Sequence, residues 1–414
     1  MLHSSPITRL RNGIRSRGLP PVVLIGGNLG ALSLLRMYHK YGIDCYVLAH
    51  KGLRSMEPAS HSRHANVLPY VCPKQWADFL LGDESAWLRG ALVLADNDVA
   101  LRFIAENHQE LRERFLLDLM DPEASCIMLN KLRTYRLAQD CGIDAPRFWA
   151  VKSLADVESV KDNINYPVLL KPHFSPDFSH EFKRKFFTAN DAGEVVSSFR
   201  EIQSRGQFDI VLLEMIPGPD SLIASYYSYV DEDGHCVFDF TKTVLRRYPV
   251  NGGGATYHIA KITPEVVRLG KRFLECSGYR GYAGVEFKYD LRDMKWKLIE
   301  CNARFTAPTE LLHACGCNVA MLVYNRAVGR GVRPFKQAPE EVRLWHPVED
   351  FLSFLMLRKR GELGFAGWAK SLMHRKHLPC FRWMDPWPSI ICESNRALNL
   401  LPRAFSKLRT RFIG

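Results

Sequence analysis

The feature that most constrains the fold is a pair of short segments near residue 290 in which polar and apolar residues alternate. They read Gly-Val-Glu286-Phe-Lys-Tyr-Asp and Lys-Leu-Ile-Glu300-Cys-Asn302-Ala-Arg304, and a short polar turn joins them. If the turn is centred on Asp293, an antiparallel hairpin pairs Glu286 with Glu300 and places Asn302 on the same face. The opposite, core-facing side of the hairpin then takes Val285, Phe287, Ile299 and Cys301.

Two neighbouring carboxylates repel each other unless a cation lies between them. Oxygen ligands of this kind suit Mg2+, which takes one or two carboxylates and completes its shell with water and substrate phosphates. The hairpin therefore suits a metal site at Glu286 and Glu300, for Mg2+ or alternatively Mn2+, with Asn302 on the same face. A surface hairpin with acids in chance proximity is the competing interpretation, and the hairpin alone does not separate the two.

The composition is that of an ordinary globular protein, and the chain of 414 residues is long enough for two or three domains. Eleven cysteines occur without a CxxC pair, so we expect reduced thiols and a cytoplasmic location. The first residues lack an apolar h-region, so no signal peptide is expected. No apolar run approaches the roughly 20 residues that cross a bilayer.

The net charge of +12 lies at the ends of the chain. Residues 1–20 hold four Lys/Arg and no acid, and residues 331–414 hold fifteen Lys/Arg against seven acids. The middle of the chain is neutral and shows no basic stripe of the kind that follows a nucleic-acid groove. The sequence therefore predicts no nucleic-acid partner.

Buried strands and helices alternate over residues 20–125, which predicts an open parallel α/β sheet. Only Gly27 and Gly30 match the dinucleotide fingerprint, Ile25 replaces its first glycine, and Ala49-His50 stands where an NAD enzyme places an acid. We therefore expect a glycine turn that packs a helix on its strand, and an NAD-dependent oxidoreductase is disfavoured. Asp96-Asn97-Asp98 follows the third strand, where helix capping is favoured over substrate contact.

The second half changes character after Asn130. Residues 131–141 predict a helix, residues 166–172 a strand with Lys171 near its end, and residues 211–214 a strand that breaks into a Pro/Gly turn before Asp220. Residues 221–230 and 237–245 predict further antiparallel strands before the hairpin.

These segments, in this order, resemble the ATP-grasp superfamily of carboxylate–amine ligases. The resemblance is to the members similar to D-alanine–D-alanine ligase, biotin carboxylase and the carbamoyl phosphate synthase large subunit. It spans residues 20–330 and is strongest over 130–305. It implies a combination of α/β and α+β architecture. A basic segment (1–19) precedes an open parallel α/β pre-ATP-grasp domain (20–125). A two-subdomain ATP-grasp domain follows (126–330), with its small lid subdomain at about 145–215, and a basic helical C-terminal extension (331–414) ends the sequence.

The resemblance also implies an ATP site. Lys131 and Lys171 would hold ATP phosphates, Glu214 would face the adenine amino group, the backbone of Met215 and Ile216 would read the ring edge, and Asp220 would bind the ribose. The alternatives are that Lys171 is an ordinary surface lysine and that Asp220 only forms a turn beside Pro219.

In the same resemblance, Glu286, Glu300 and Asn302 would bind Mg2+ between the ATP phosphates. Lys171 and Arg304 would be the catalytic cations, with Arg304 reaching the γ-phosphate or the acyl phosphate. The alternative for Arg304 is an ion pair with Glu300.

A substrate-carboxylate pocket is predicted from Arg246, Arg247, Gly253 and Gly254, together with Arg304. A flexible hairpin loop is the competing interpretation of this segment. The chain departs from the family at Pro172–Phe186, which lacks the glycine-rich loop that covers the phosphates in most members. Side chains such as Ser175 or Lys185 would have to replace the backbone amides of that loop.

The extension at 331–414 combines basic clusters with Phe and Trp residues. We expect a helical appendage that packs its aromatic side chains on the body of the protein and leaves its basic residues solvated. The alternative is peripheral contact with an anionic membrane or a lipid-linked substrate.

The sequence therefore predicts an ATP- and Mg-dependent ligase that activates a carboxylate as an acyl phosphate and joins it to an amine. A homodimer is a further expectation. The alternatives are another ATP-grasp ligase or a carboxylase with a different nucleophile, and a non-catalytic Mg-ATP-binding regulatory protein.

Overall fold

The computed structural model describes residues 18–118, 121–332, 335–337 and 341–396. The chain divides into two compact units. The first combines Met1–Asp118, Phe305–Arg333 and Val342–Gly414, and the second combines Leu119–Arg304 and Pro334–Glu341. The predicted domain limits at residues 125 and 330 stay predictions.

The N-terminal part of the first unit is a five-stranded parallel sheet of order β3-β2-β1-β4-β5. Its strands are β1 (Val22–Ile25), β2 (Cys45–Leu48), β3 (Asn66–Leu68), β4 (Leu92–Ala95) and β5 (Leu116–Leu117). Its helices are α1 (Leu29–Lys40), α2 (Pro73–Leu80), α3 (Asp98–Glu106) and α4 (His108–Arg112), with 3-10 turns at Pro58–His61 and Asp83–Leu88. Every residue of β1, β2 and β4 is buried, as expected for strands covered on both faces.

The turn after β1 packs α1 onto the sheet, as predicted. The carboxylate of Asp96 accepts hydrogen bonds from the backbone N–H groups of Asn28 (2.6 Å) and Ala31 (2.8 Å). A Cβ atom on Gly30 would lie 2.4 Å from Asp96 Oδ1, so this close approach requires glycine. The Asn97 side chain caps α3, which confirms the predicted capping role of this segment.

The second unit begins with α5 (Pro122–Leu129) and α6 (Lys131–Asp140) and continues into a small subdomain, here called the lid. The lid is an antiparallel sheet of order β6-β9-β7-β8. Its elements are β6 (Phe148–Val151), α7 (Leu154–Val160), β7 (Val168–Pro172), α8 (Ser175–Phe182), β8 (Phe187–Ala189), α9 (Ala192–Ser204) and β9 (Ile210–Glu214), with a 3-10 turn at Lys161–Asn163. Phe178 and Phe182 of α8 lie in its apolar core.

The central sheet of the second unit has the order β14-β13-β10-β11-β12, and all its pairs are antiparallel. Its elements are β10 (Ile223–Val230), β11 (Phe240–Tyr248), β12 (Gly254–Ala260), α10 (Pro264–Cys276), β13 (Gly281–Asp290) and β14 (Lys295–Asn302), with a 3-10 turn at Asp220–Leu222. The strand predicted at 237–245 begins later, because residues 231–236 form a turn whose ends bridge Val230 to Cys236.

A disulfide joins Cys141, which follows α6, to Cys276 at the end of α10. The expectation that all cysteines are reduced is therefore wrong for this pair. The two residues are 135 positions apart in the chain, and the fold brings their Cα atoms to 5.9 Å.

The first unit is completed by C-terminal elements: α11 (Thr309–Ala314), α12 (Val319–Ala327), β15 (Arg343–Trp345), α13 (Pro347–Lys359), α14 (Phe365–Ser371) and β16 (Lys376–His377). Residues 387–396 are also helical. Phe354 stacks on Trp368 with ring centroids 4.7 Å apart, but Trp383 is 88% exposed and Trp387 is also exposed. Both Phe354 and Trp368 belong to the extension, so the expected packing of its aromatic side chains on the body of the protein stays a prediction for them and is wrong for Trp383 and Trp387. None of the helices among the described residues combines the length and apolar character that a bilayer crossing requires.

Candidate active site

Strands β13 and β14 bring the two predicted metal-binding carboxylates side by side. Glu286 is the direct partner of Glu300, and Gly284 is the partner of Asn302. The predicted pairing is therefore confirmed, and Asn302 follows Glu300 on the same face of β14.

A β-bulge interrupts the hairpin next to this pair. Phe287 pairs with Leu298, so Ile299 is an extra residue of β14. Ile299 lines the cleft beside Glu300, so its predicted position on the core face is wrong. The buried Tyr135 of α6 donates a hydrogen bond from its hydroxyl to the Ile299 carbonyl at 2.9 Å, which satisfies the backbone at the bulge.

Polar side chains on neighbouring strands of the central sheet lie in line with the Glu286–Glu300 pair. Glu300 pairs with Glu286, Glu286 with Ser225 of β10, and Ser225 with Lys242 of β11. The Ser225 hydroxyl lies 3.4 Å from the Glu286 carboxylate. Because directly paired residues share a face, four adjacent strands each contribute one side chain to this cross-strand row.

Cations surround Glu300. Desolvation alone would raise the pKa of Glu300, whose side chain is 46% exposed, but Lys131, Lys185, Lys171 and Arg304 outweigh that effect and lower the pKa to about 2. The Lys131 ammonium is 3.4 Å from Glu300 Oε1. Glu300 is therefore ionised throughout the physiological range, as a metal ligand must be.

The two lysines that the resemblance assigns to phosphate binding approach the hairpin from different elements. Lys131 is the first residue of α6, and its N–H group donates to the His173 carbonyl after β7. Lys171 lies near the end of β7. Burial, and secondarily the charge of Lys131, lowers the pKa of Lys171 to about 8, although Glu300 raises it.

The predicted adenine-binding residues lie at the end of strand β9 and directly after it, where they line the cleft. Glu214 is buried, and its Oε1 accepts from the Asn165 N–H group at 3.3 Å and lies 3.4 Å from Arg147. The Met215 N–H group donates to the Pro167 carbonyl at 3.0 Å, so it is engaged within the lid.

Lys288 fixes the turn that follows β9. Its ammonium donates to the carbonyls of Ile216 at 2.8 Å and Gly218 at 3.0 Å. Asp220 is buried in the same turn, and its Oδ2 accepts from the Asn251 N–H group at 3.0 Å. Its Oδ1 is buried without a hydrogen-bond partner in the described part of the chain, so Asp220 retains an acceptor at the cleft.

The predicted substrate segment folds back on itself between β11 and β12. Arg247 lines the cleft, and its Nε donates to the Gly253 carbonyl at 2.7 Å. A Cβ atom on Gly253 would lie 1.8 Å from the Tyr248 carbonyl oxygen, so only glycine fits there, whereas Gly254 adjoins open space. Arg246 is buried with its guanidinium 4.8 Å from the Tyr257 ring centroid. The assigned role of this segment in substrate binding stays a prediction.

The glycine-free segment after β7 forms helix α8, not an open loop. The helix ends at Lys183, which has a left-handed conformation (φ 52°). We call residues 183–186 the lid tip. Phe186 lines the cleft, with its ring centroid 5.9 Å from the Lys171 ammonium. Its ring also covers Gly252, where a Cβ atom would lie only 2.8 Å away.

The cleft has a cavity volume of about 90 Å3. Among the predicted residues, those that line it are Lys171, Glu214, Met215, Ile216, Asp220, Arg247, Glu286 and Glu300. The paired carboxylates and the surrounding lysines fit a divalent cation on a polyphosphate, and the unpaired Asp220 oxygen fits a sugar hydroxyl.

The chain is related in sequence to known ligases. It is 24% identical over 378 residues to the D-aspartate ligase of Enterococcus faecium (strain Aus0004), a match that covers 83% of this chain and 86% of that protein. Over most of its length the chain is therefore similar in sequence to a ligase. A second match, to the D-alanine–D-alanine ligase of Stutzerimonas stutzeri (strain A1501), is 24% identical over 190 residues and covers 43% of this chain and 56% of that protein. No protein-family model matches the chain.

Solved structures share the fold of this chain. An L-amino acid ligase from Bacillus licheniformis superposes with a TM-score of 0.56 at 17% identity, covering 78% of this chain and 76% of that one. The biotin carboxylase domain of a Hydrogenobacter thermophilus 2-oxoglutarate carboxylase, a dimer in complex with MgADP, gives 0.59 at 18% identity and 78% and 72% coverage. The predicted fold class is confirmed. The matches to named ligases agree with the predicted resemblance to carboxylate–amine ligases.

Sequence reasoning missed several residues that line the cleft or support the strands and turns around it. Lys242 extends the cross-strand row, Lys288 holds the β9 turn, and Phe186 covers Gly252. For Lys242 a signal exists in the sequence, because a lysine stands between two threonines near the start of the strand. For Phe186 no local pattern distinguishes a cleft residue from a core residue.

Proposed function

We propose that the cleft binds Mg·ATP and joins the carboxyl group of an amino acid to an amine. The observation that carries this proposal is the cross-strand row of Glu300, Glu286, Ser225 and Lys242, faced by Lys131 and Lys171. Paired acids beside several cations are the arrangement that a metal–polyphosphate complex requires.

The nucleotide contacts follow the positions of the side chains and the free backbone groups. Lys131 and Lys171 bind phosphate oxygens, and Asp220 accepts from the ribose through Oδ1. Because the Met215 N–H and the Ile216 carbonyl have partners within the protein, the adenine edge is read by the Met215 carbonyl and the Ile216 N–H group. Glu214 supports this segment through Asn165 and Arg147.

Glu286, Glu300 and Asn302 hold Mg2+, which neutralises phosphate charge when it is bound. The pKa of Lys242 is lowered to about 8 by burial, against the opposing effect of Glu286. Lys242 therefore completes the positive side of the site next to the metal-binding acids.

The reaction has two displacement steps. A carboxylate oxygen of the first substrate attacks the γ-phosphorus, the bond from that phosphorus to the bridging oxygen breaks, and ADP leaves with the electron pair. The amine nitrogen then attacks the acyl carbon of the acyl phosphate, inorganic phosphate leaves, and the nitrogen loses a proton to solvent. Lys171 and Arg304 stabilise the charge that develops on the transferred phosphoryl group.

The carboxylate substrate is an amino acid, and D-aspartate is the first one to test. The related chain named a D-aspartate ligase supports this choice. Arg247, oriented by the Gly253 carbonyl, and Arg246 and Gly254 beside it form the positive wall for a substrate carboxylate. Arg304 approaches from the end of β14 on the side of Glu300.

The decisive variant is Glu300→Gln. We expect amine-dependent ADP release to fall by about 10²–10³-fold, because a neutral amide no longer holds the metal against the phosphates. The assay measures ADP release with D-aspartate and a pool of amines. Asp293→Asn in the exposed turn of the same hairpin is the matched control and should retain full activity.

Full activity in Glu300→Gln would refute the metal assignment. ADP release that responds to bicarbonate and not to amines would favour a carboxylase. Tight Mg·ATP binding without substrate-stimulated turnover would favour a non-catalytic regulatory protein, the interpretation that the glycine-free lid segment first suggested.

The cytoplasmic location, the homodimer, and contact of the basic extension with an anionic membrane or lipid-linked substrate also stay proposals. The Cys141–Cys276 disulfide makes the location testable, since a reducing compartment would oppose it. Thiol labelling of protein taken directly from cells measures its state. Sedimentation of the purified protein measures the oligomeric state.

A further inference from the structure

The first unit carries an exposed apolar surface that the ligase reaction does not use. Six residues, here called the tryptophan patch, form it: Leu53, Met56, Trp383, Met384, Trp387 and Ile390. Trp383, Leu53 and Met384 are 88%, 75% and 74% exposed. Exposed tryptophan and methionine in one cluster mark an interaction surface far more often than isolated apolar residues do.

Hydrogen bonds within the first unit tie the two segments of the patch together. The Asn395 side chain donates to the Leu53 carbonyl at 2.7 Å and to the Ser55 carbonyl at 3.2 Å. Arg63 donates to the Met384 carbonyl at 3.3 Å. The loop at 50–56 and residues 383–396 are therefore neighbours on one surface.

A buried residue, Asp385, fixes the backbone next to the tryptophan patch. Asp385 is 2% exposed and accepts from Arg36, from the Ser62 hydroxyl and from the Arg63 N–H group. With Asp385 held inward, Trp383 and Met384 before it and Trp387 after it point to solvent. Spacing of three residues also places Ile390 on the outer side of helix 387–396.

The charges around the patch are positive. Lys51, Arg54 and Arg63 are exposed, whereas Glu57 and Glu393 beside it are only partly exposed. Glu57 accepts from the His50 N–H group, and Glu393 pairs with Arg396. The sequence beyond the patch, residues 397–414, has four Lys/Arg and no acid.

We propose that the tryptophan patch docks the protein on an anionic lipid surface. Tryptophan side chains prefer the membrane–water boundary, and each flanking cation adds about 1 kcal/mol of attraction to anionic headgroups. Apolar contact and basic charge together provide the two signals that stable peripheral binding needs. A second copy of this chain fits less well, because a symmetric contact would bring Lys51, Arg54 and Arg63 of both copies together.

The test is vesicle sedimentation of the full chain at low and high salt. We expect binding to equimolar phosphatidylcholine–phosphatidylglycerol vesicles, little binding to phosphatidylcholine alone, and weaker binding at high salt. The double variant Trp383→Ala/Trp387→Ala should bind at least tenfold more weakly. Lys51→Gln, which removes one positive charge, should bind up to about fivefold more weakly, because 1 kcal/mol corresponds to that factor.

Phe365→Ala, an exposed aromatic on α14 outside the patch, is the matched control and should bind like the unmodified protein. Equal binding by the double variant, equal binding to both vesicle types, or no binding at all would overturn the proposal. A double variant that instead changes a dimer into a monomer in sedimentation without lipid would also overturn it and identify a contact between copies. None of these readouts depends on ligase activity, so the proposed reaction and this surface fail separately.

Discussion

At the scale of single residues, the position of Glu300 depends on one tyrosine outside the hairpin. The Tyr135 hydroxyl holds the carbonyl of the bulged Ile299, immediately before Glu300. Groups that orient a metal ligand without touching the metal tune its affinity, and their loss costs about 10–100-fold.

We therefore expect Tyr135→Phe to raise the Mg2+ concentration for half-maximal activity by about tenfold or more. The lost hydrogen bond should also reduce the free energy of unfolding by about 1 kcal/mol. Tyr70→Phe, which removes a tyrosine–glutamate hydrogen bond in the first unit, controls for a general loss of stability. An unchanged Mg2+ requirement in Tyr135→Phe would show that the bulge does not position Glu300.

Lys171 gives the site a pH dependence with a defined sign. Its pKa of about 8 means that the free enzyme carries the ammonium form below that pH and loses the proton above it. Because phosphate binding needs the ammonium form, kcat/KM for ATP should fall as the pH rises through about 8.

The variant Lys171→Arg isolates this contribution, since a guanidinium stays charged over the whole range. Lys242, with a similar pKa of about 8, should still titrate in the variant. Loss of one required proton lowers kcat/KM by up to about tenfold per pH unit above its pKa. We expect Lys171→Arg to lack this contribution, so its kcat/KM should fall less steeply above pH 8 than that of the unmodified protein. Identical profiles would remove Lys171 from ATP binding.

The sequence predicted the Glu286–Glu300 pair because equal distance from a turn fixes an antiparallel register. It misplaced Ile299 because the bulge is stabilised by Tyr135, which lies 164 residues away in the chain. Side chains that act through strand pairing, such as Lys242, become visible only once the order of the strands is known.

At the scale of elements, the lid differs from its sequence-based description. The segment between β7 and β8 has no glycine and was expected to act through individual side chains, yet it folds as α8. Phe178 and Phe182, one turn apart, are buried in the lid core and hold the helix in place. The segment is therefore a packed helix and not a loop, and the lid tip follows this helix at the cleft.

Phe186 at this tip should limit the access of water to the transferred phosphoryl group. We expect Phe186→Ala to raise amine-independent phosphate release several-fold relative to amide formation, measured as the ratio of phosphate to amide product. Phe186→Leu retains an apolar side chain and should restore most of the coupling. A ratio that is the same in the unmodified protein and both variants would show that the lid tip does not shield the reaction.

At the scale of the whole molecule, the C-terminal extension is part of the first unit. Arg36 of α1 pairs with Asp385 at 2.9 Å and also donates to the carbonyls of Cys380 and Asp385. Arg382 pairs with Glu310 of α11. Sequence analysis separated the extension because its composition changes near residue 331, but composition carries no information on partners 300 residues away.

Removing Asp385 should therefore destabilise the first unit. Asp385→Ala leaves the nearly buried Arg36 guanidinium uncompensated, so the free energy of unfolding should fall by about 3–5 kcal/mol in urea titrations. Glu362→Ala breaks an exposed pair with Arg360 and should change it by less than about 1 kcal/mol. Equal values for the two variants would mean that the extension is not held by this contact.

The relative position of the side chains in the cross-strand row depends on strand register. Glu300, Glu286, Ser225 and Lys242 meet only when β14, β13, β10 and β11 are aligned, and a slip by one residue in any of them would turn its side chain to the opposite face. During refolding, recovery of divalent-ion affinity should consequently be among the last events, and lanthanide luminescence at this position could time the closure of the sheet.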